Sequence, residues 1–220
     1  MKKSFAALAL LFPLLSSLYA QDVWSRPLDA ESLPQYSAVC ADLARRPVVK
    51  GVFEQTKILK RLGRSLVSRG NFIIAADLGM VWDTLSPFPS VTAVGRDFII
   101  QSTPRGTRSR LDAGGNETFT SLAATISAVF TGDAQSLREN FENYFLNGGG
   151  AWTLGLVPRE KAIALFAERI ILEGDAAAGS ALIRSITLHE RSGDIIRYVL
   201  SGHNFPAGLS NEEKALFSLD

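Results

Sequence analysis

Apolar and polar residues alternate with a period of two over most of this chain, and two stretches break that pattern with a helical period. Residues 48–59 (VVKGVFEQTKIL), 65–76 (SLVSRGNFIIAA), 79–85 (GMVWDTL), 90–95 (SVTAVG) and 97–103 (DFIIQST) read as successive strands, with a further one around 106–112. Gly63, Asp77–Gly79, Pro87–Pro89 and Gly95 mark the breaks between them. A second series runs through 139–147, 151–157, 166–173, 181–190 and 194–201, separated by turns at 148–150, 174–179 and 191–193. The helical period appears at 29–46, where Leu33, Tyr36, Val39, Cys40 and Leu43 recur every three or four residues until Pro47. It returns at 117–130, with Leu122, Ile126, Val129 and Phe130 on one stripe, and ends at Gly132 and Asp133. A short helix is expected at 210–217, with Ser210 as its cap and Glu213 three residues on.

Strands that follow each other with short turns form a meander, and a long antiparallel meander with few helices curls. The expected fold is therefore mainly β with helices (α+β). It is one strongly curved antiparallel sheet whose concave apolar face is covered by the helices of 29–46 and 117–130.

The hairpin GNFIIAADLGMVWDTLSPFP, from Gly70 to Pro89, holds no histidine, no cysteine and no run of acids. If Phe72 faces inward, strand parity turns Ile74 and Ala76 the same way, and Met80 and Trp82 share one face across the turn. Asn71, Asp77 and Asp83 then fall at edges or on the other side. Such a wall suits the burial of apolar surface, because each buried methylene contributes about 0.8 kcal/mol without any bond being broken.

Composition adds a compartment. The segment MKKSFAALALLFPLLSSLYA has a basic start, a short apolar stretch and small residues before Ala20, the pattern of a secretory signal peptide. The expected division is a signal peptide at 1–20 and one domain at 21–220, exported to the periplasm. Losing Lys2 and Lys3 takes the 23 basic residues to 21 against 22 acids, which points to no nucleic-acid partner. One cysteine, Cys40, excludes an intramolecular disulfide and reads as a core residue of its helix.

No catalytic constellation emerges. His189 and His203 have no metal-ligand spacing to a cysteine or to each other, so no metal and no cofactor is expected. AGSA at 178–181 lacks the spacing of a nucleophile elbow, and Gly148–Gly150 lacks the lysine of a phosphate loop. Glu139 with Glu142 and Glu212 with Glu213 fit solvated faces. The chain is expected not to be an enzyme. Lys57, Lys60, Arg61, Arg64 and Arg69 lie within 13 residues and are a candidate contact for a lipid headgroup or a partner, or else a solvated hairpin tip. Arg105, Arg108 and Arg110 form a looser basic set with the same two readings.

The order of these motifs resembles the LolA family of periplasmic outer-membrane lipoprotein carriers and its LolA-like relatives. The similarity is carried by Phe53-x-Gln55-x-Lys57, Leu66-x-Ser68-x-Gly70-x-Phe72, Gly79-x-x-Trp82, Pro87-Phe88, the strand with Trp152, Leu154, Leu156 and Pro158, and the turn of ERSGD at 190–194. It covers roughly residues 48–201. The resemblance implies an incomplete barrel closed by helices around a hydrophobic cavity. It further implies acylated lipoprotein or lipid as cargo, an inner-membrane donor complex and an outer-membrane acceptor. Where better-known carriers have an arginine six residues before the hairpin tryptophan, tied to lid closure, this chain has Ala76. The expected cavity residues are Phe72, Ile74, Met80, Trp82, Ile100, Trp152, Ile126 and Phe130 in a monomer. A lipid- or lipoprotein-sensing module of the same fold, and an uncharacterised hydrolase, remain alternatives.

Overall fold

Val48–Leu59 and Arg64–Ala75 pair antiparallel over their whole length, Val48 opposite Ala75 and Leu59 opposite Arg64, and form β1 and β2. A 3-10 turn, Lys60–Leu62, joins them and ends at Gly63 with φ 59°, a left-handed conformation that glycine adopts without a Cβ clash. The computed structural model describes residues 22–112, 114, 124–125, 127–175 and 180–218. The meander continues through β3 (Gly79–Ser86), β4 (Ser90–Val94), β5 (Phe98–Ser102) and β6 (Arg108–Asp112). Then come β7 (Phe141–Gly148), β8 (Ala151–Pro158), β9 (Ala167–Asp175), β10 (Leu182–Glu190) and β11 (Ile195–Asn204).

All eleven belong to one antiparallel sheet in the order β6-β5-β4-β3-β2-β1-β11-β10-β9-β8-β7. The two halves of the meander join where β1 meets β11, with Phe53 opposite Leu200 and Gln55 opposite Tyr198. β6 and β7 stand at opposite edges, so the sheet is open. The edge of β7 is covered by the N-terminal segment: Leu28 N–H donates to the Asn143 carbonyl (2.8 Å) and Phe145 N–H to that of Arg26 (2.9 Å). Covering an edge in this way removes a template for intermolecular strand pairing.

The sheet buries both faces unequally. On the inner face, Phe53, Phe72, Ile74, Phe145, Trp152, Leu154, Leu156 and Leu172 form the main core. Helix α1 (Leu33–Ala44) packs there through Tyr36, Val39 and Cys40, and the helical residues 128 and 129 pack beside it. Tyr36 meets Phe145 edge-on at 5.7 Å. Burial pushes the Cys40 thiol up to about 11, which keeps it protonated and inert. On the outer face, Val81, Ala93 and Ile100 form a smaller core under Phe217, just beyond α4 (Asn211–Ala215).

Two helices were not expected from the sequence, and the first of them overlaps an expected strand. Ala134–Asn140 is helical, α2, where a strand was expected from 139. Asp133 caps it by accepting from the Ser136 N–H, and the alternating burial of Phe141, Asn143 and Phe145 begins only after it. Lys161–Ala164, α3, is a single turn between β8 and β9. The expected helix of 117–130 is described only at 124–125 and 127–130, all helical, and it continues to 131. Leu122 and Ile126 lie outside the described residues, as does the expected signal peptide of 1–20.

Candidate functional site: a cleft beside an aromatic wall

Strand register assembles an aromatic wall on the inner face. Phe72 stands opposite Trp82, and the next pair on that face is Ile74 with Met80. Trp82 packs against Phe53 (5.1 Å between ring centroids), Tyr198 (5.3 Å), Phe72 (5.9 Å) and Phe130 (6.2 Å). Phe72 lies across Gly51 of the neighbouring strand, where an added Cβ would come within 2.7 Å of its ring. Only glycine lets the ring lie flat there. Burial pushes the Tyr198 hydroxyl up to about 12. The Trp82 indole N–H and the Thr125 hydroxyl are buried without a hydrogen-bond partner among the described residues.

A cleft of about 330 Å³ opens at the edge of this wall. Its floor is the β2–β3 turn, from Ile74 to Met80, with Val94, Gly95 and Arg96 at one side. Ala124, Ser127, Ala128, Phe130 and Thr131 of the helical segment form the other side. The lining is mostly apolar, with Asp77, Arg96, Ser127, Thr131, Asp133 and Ser136 as its polar groups. Bonds from Ser136 hold the Asp133 carboxyl below the usual carboxylate range, so it is fully charged at neutral pH. Ala76 lies in the turn and is exposed, because β2 ends at Ala75; its N–H donates to the Pro47 carbonyl (2.9 Å).

A second void of about 20 Å³ lies beside it, bounded by Phe72, Val49, Leu200 and His203 and reaching Arg46 and Phe205. It has room for about one water. Ile74 and Phe130 line both spaces, so Phe130 stands as the partition between them. Burial holds the His203 imidazole below its ordinary pKa, hence neutral, with its ring 5.8 Å from that of Phe72.

Of the expected cavity residues, the structure brings together Phe72, Ile74, Met80, Trp82 and Phe130. It does not bring in Ile100. Across the ladders Ile73, Val81, Ala93 and Ile100 are mutual partners, one residue out of phase with Trp82, and so lie on the outer face. Trp152 is on the inner face but far along the sheet, on β8; it lies over Gly174 and donates its indole N–H to the Asp175 carbonyl (2.7 Å). Phe53, Tyr198 and Arg96 are members that strand parity within one hairpin did not pick out. Tyr198 reaches Trp82 only through the β1–β11 pairing, which joins residues far apart in sequence.

The five clustered cations do not make one patch. Lys57 points inward and pairs with Glu190 (3.1 Å), and Arg69 pairs with Glu54 (2.7 Å) on the outer face. Lys60, Arg61 and Arg64 remain at the exposed hairpin tip. Arg108 donates to the carbonyls of Ala215 and Ser218, and Arg110 pairs with Asp112 and stacks on Phe98, so both are structural. No group of three or more His, Cys, Asp or Glu suited to a metal occurs among the described residues.

The architecture is an open antiparallel half-barrel with helices against its inner face, the kind that the LolA-like resemblance implied. No protein-family model matches the chain, and no curated protein does. Among solved structures it is similar to the lipoprotein LppX of Mycobacterium tuberculosis, at 11% identity and a TM-score of 0.48 over 83% of this chain and 100% of that one. It is also similar to a DUF1329 family protein of Desulfovibrio piger, at 11% identity and a TM-score of 0.46 over 85% and 97% of the two chains. A LolA superfamily protein of Nitrosomonas europaea follows, at 11% identity and a TM-score of 0.44 over 83% and 96%.

Proposed function

We propose that this protein is an extracytoplasmic carrier that takes acyl chains of a lipoprotein or lipid into the cleft and holds them against the aromatic wall on the way to the outer membrane. The observation that carries this reading is the cleft itself: an apolar recess between sheet and helix that ends on Phe130, with a further apolar space behind that ring. About ten buried methylenes gain roughly 8 kcal/mol, against an association cost of about 4–15 kcal/mol. A chain held only in the open cleft therefore binds weakly. Tight binding requires the Phe130 partition to swing aside so that a longer chain reaches Phe72, Phe53 and Tyr198.

The helical segment bearing Phe130 thus acts as a lid. With Ala76 in the floor, the β2–β3 turn brings no cation to that position, and retention rests on apolar contact area. The resemblance to the LolA family supports the direction of transport, and the pattern of residues 1–20 supports export.

The test is mass spectrometry of the organic extract of the purified protein, with titration of a fluorescent fatty acid on the wild type and Phe130→Ala. The reading expects a co-purifying acyl lipid, saturable binding, and faster or tighter uptake by the variant. Absence of both lipid and saturable binding in a folded protein refutes it.

A further inference from the structure

The antiparallel meander sends alternate connections to the same end of the sheet. The connections at 60–63, 87–89, 103–107, 159–166 and 191–194 therefore form one rim, and those at 76–78, 95–97 and 149–150 lie at the other. The large exposed apolar side chains are not shared evenly between the two ends. Phe88 (83% exposed), Leu62 (67%) and Leu165 (66%), with Leu66, Leu85 and Phe166, all sit on the first rim. At the opposite end stand Leu111 (63%), Phe205 (43%) and Leu78 (38%), and Phe205 lies under the Arg46 guanidinium.

Charge follows the same axis. Lys60, Arg61, Arg64, Arg105 and Arg159 are exposed on the first rim and enter no ion pair among the described residues. Of the acids on this rim, Glu190 holds Lys57 and Asp194 accepts the Lys60 N–H (3.0 Å), while Glu160 and Glu168 stand at the 159–166 connection, so the exposed cations outnumber the acids there. The opposite end carries Asp77 and Asp97 beside Arg96. The β1–β2 tip also projects. β2 pairs with β3 only from Arg69 onward, so residues 64–68 run past that neighbour by about 16 Å at 3.3 Å per residue.

We propose that this rim docks the protein on an anionic lipid surface, with Leu62, Phe88 and Leu165 entering the headgroup layer and the cations meeting lipid phosphates. A protein partner would be served by a contiguous apolar patch. Here the apolar residues are divided among three separate connections, 60–63, 87–89 and 159–166, with cations on the first and third, which fits a planar fluid interface where every tip can immerse independently. The proposal depends on the rim and not on the cleft, which opens at the other end of the hairpin.

Co-sedimentation with vesicles of phosphatidylcholine, alone or mixed with phosphatidylglycerol, tests it on the whole protein. Binding is expected only to the mixed vesicles and should fall about tenfold when salt is raised toward 1 M, where screening is nearly complete. Lys60→Glu with Arg61→Glu and Arg64→Glu should lose binding to a similar extent, as should Leu62→Ser with Phe88→Ser and Leu165→Ser. Both variants should keep the wild-type circular dichroism spectrum and bind a soluble fluorescent fatty acid as before, which separates the rim from the cleft. Equal binding to both vesicle types, no binding to either, or wild-type binding by the variants overturns the proposal. So does a solution dimer that the rim substitutions dissolve, since the rim would then join two copies of the chain.

Discussion

Trp82 is enclosed by rings from four other elements, yet its indole N–H has no acceptor among the described residues. A buried donor left unpaired costs about 1–3 kcal/mol, so this position trades stability for a wide apolar surface beside the cleft. Trp82→Ala is expected to weaken acyl-chain binding by roughly 1–3 kcal/mol through lost area. Trp82→Phe keeps the ring, removes the orphan donor, and should retain most of the affinity without lowering the denaturation midpoint. Ile74→Asp should be worse than either, because it sets an unpaired carboxylate in the wall. Titration with a fluorescent fatty acid, at low and high salt, checks all three. Affinities that stay at the wild-type value in folded variants would place the site elsewhere, and a collapse of wild-type binding at high salt would make charge the determinant.

At the scale of elements, α4 shows how a five-residue helix, too short to persist alone, is fixed by its ends. Ser210 and Glu213 form a capping box, Lys50 on β1 bonds the Glu213 carboxylate, and Phe217 covers Val81, Ala93 and Ile100. The bond from Lys50, followed by that from the Ser210 N–H, holds the Glu213 carboxyl below its ordinary pKa. Its stabilising effect is therefore fully present above the unfolded value of about 4.3 and is lost as pH falls through the lower folded value. The protection of β4 and β5 amides, relative to the intrinsic exchange rate at the same pH, should fall below about pH 4, and Glu213→Gln should reproduce that loss of protection at neutral pH. Protection unaffected by pH and by the substitution would mean that Phe217 alone holds the helix.

At the scale of the molecule, the β1–β11 ladder is the seam between two consecutive meanders. Phe53 sits on it, opposite Leu200 and against both Trp82 and Tyr198. Phe53→Ala is expected to cost about 3–5 kcal/mol, read from the shift of a chemical denaturation curve. Because the main core crosses the seam, tryptophan fluorescence and far-ultraviolet circular dichroism should report one coincident transition. Two separated transitions would show that the halves fold independently.

The sequence by itself determined the strands and their faces. Alternation placed Phe72, Ile74, Met80 and Trp82 on one side, and β1 was legible from end to end, because a period of two is a local property of the chain. The cap and box of α4 were legible for the same reason. Tertiary structure alone decided which face each strand shares with its neighbours. Ile100 has the same local pattern as Ile74, yet the β3–β4–β5 register carries it to the outer core. It also decided that Tyr198 joins the wall, that Lys57 and Arg69 part to opposite faces while Lys60, Arg61 and Arg64 stay at the tip, and that Phe88, Leu62 and Leu165 share a rim. Those relations depend on which strands pair and in what register, and pairing is fixed by the burial of the whole sheet rather than by any segment of it.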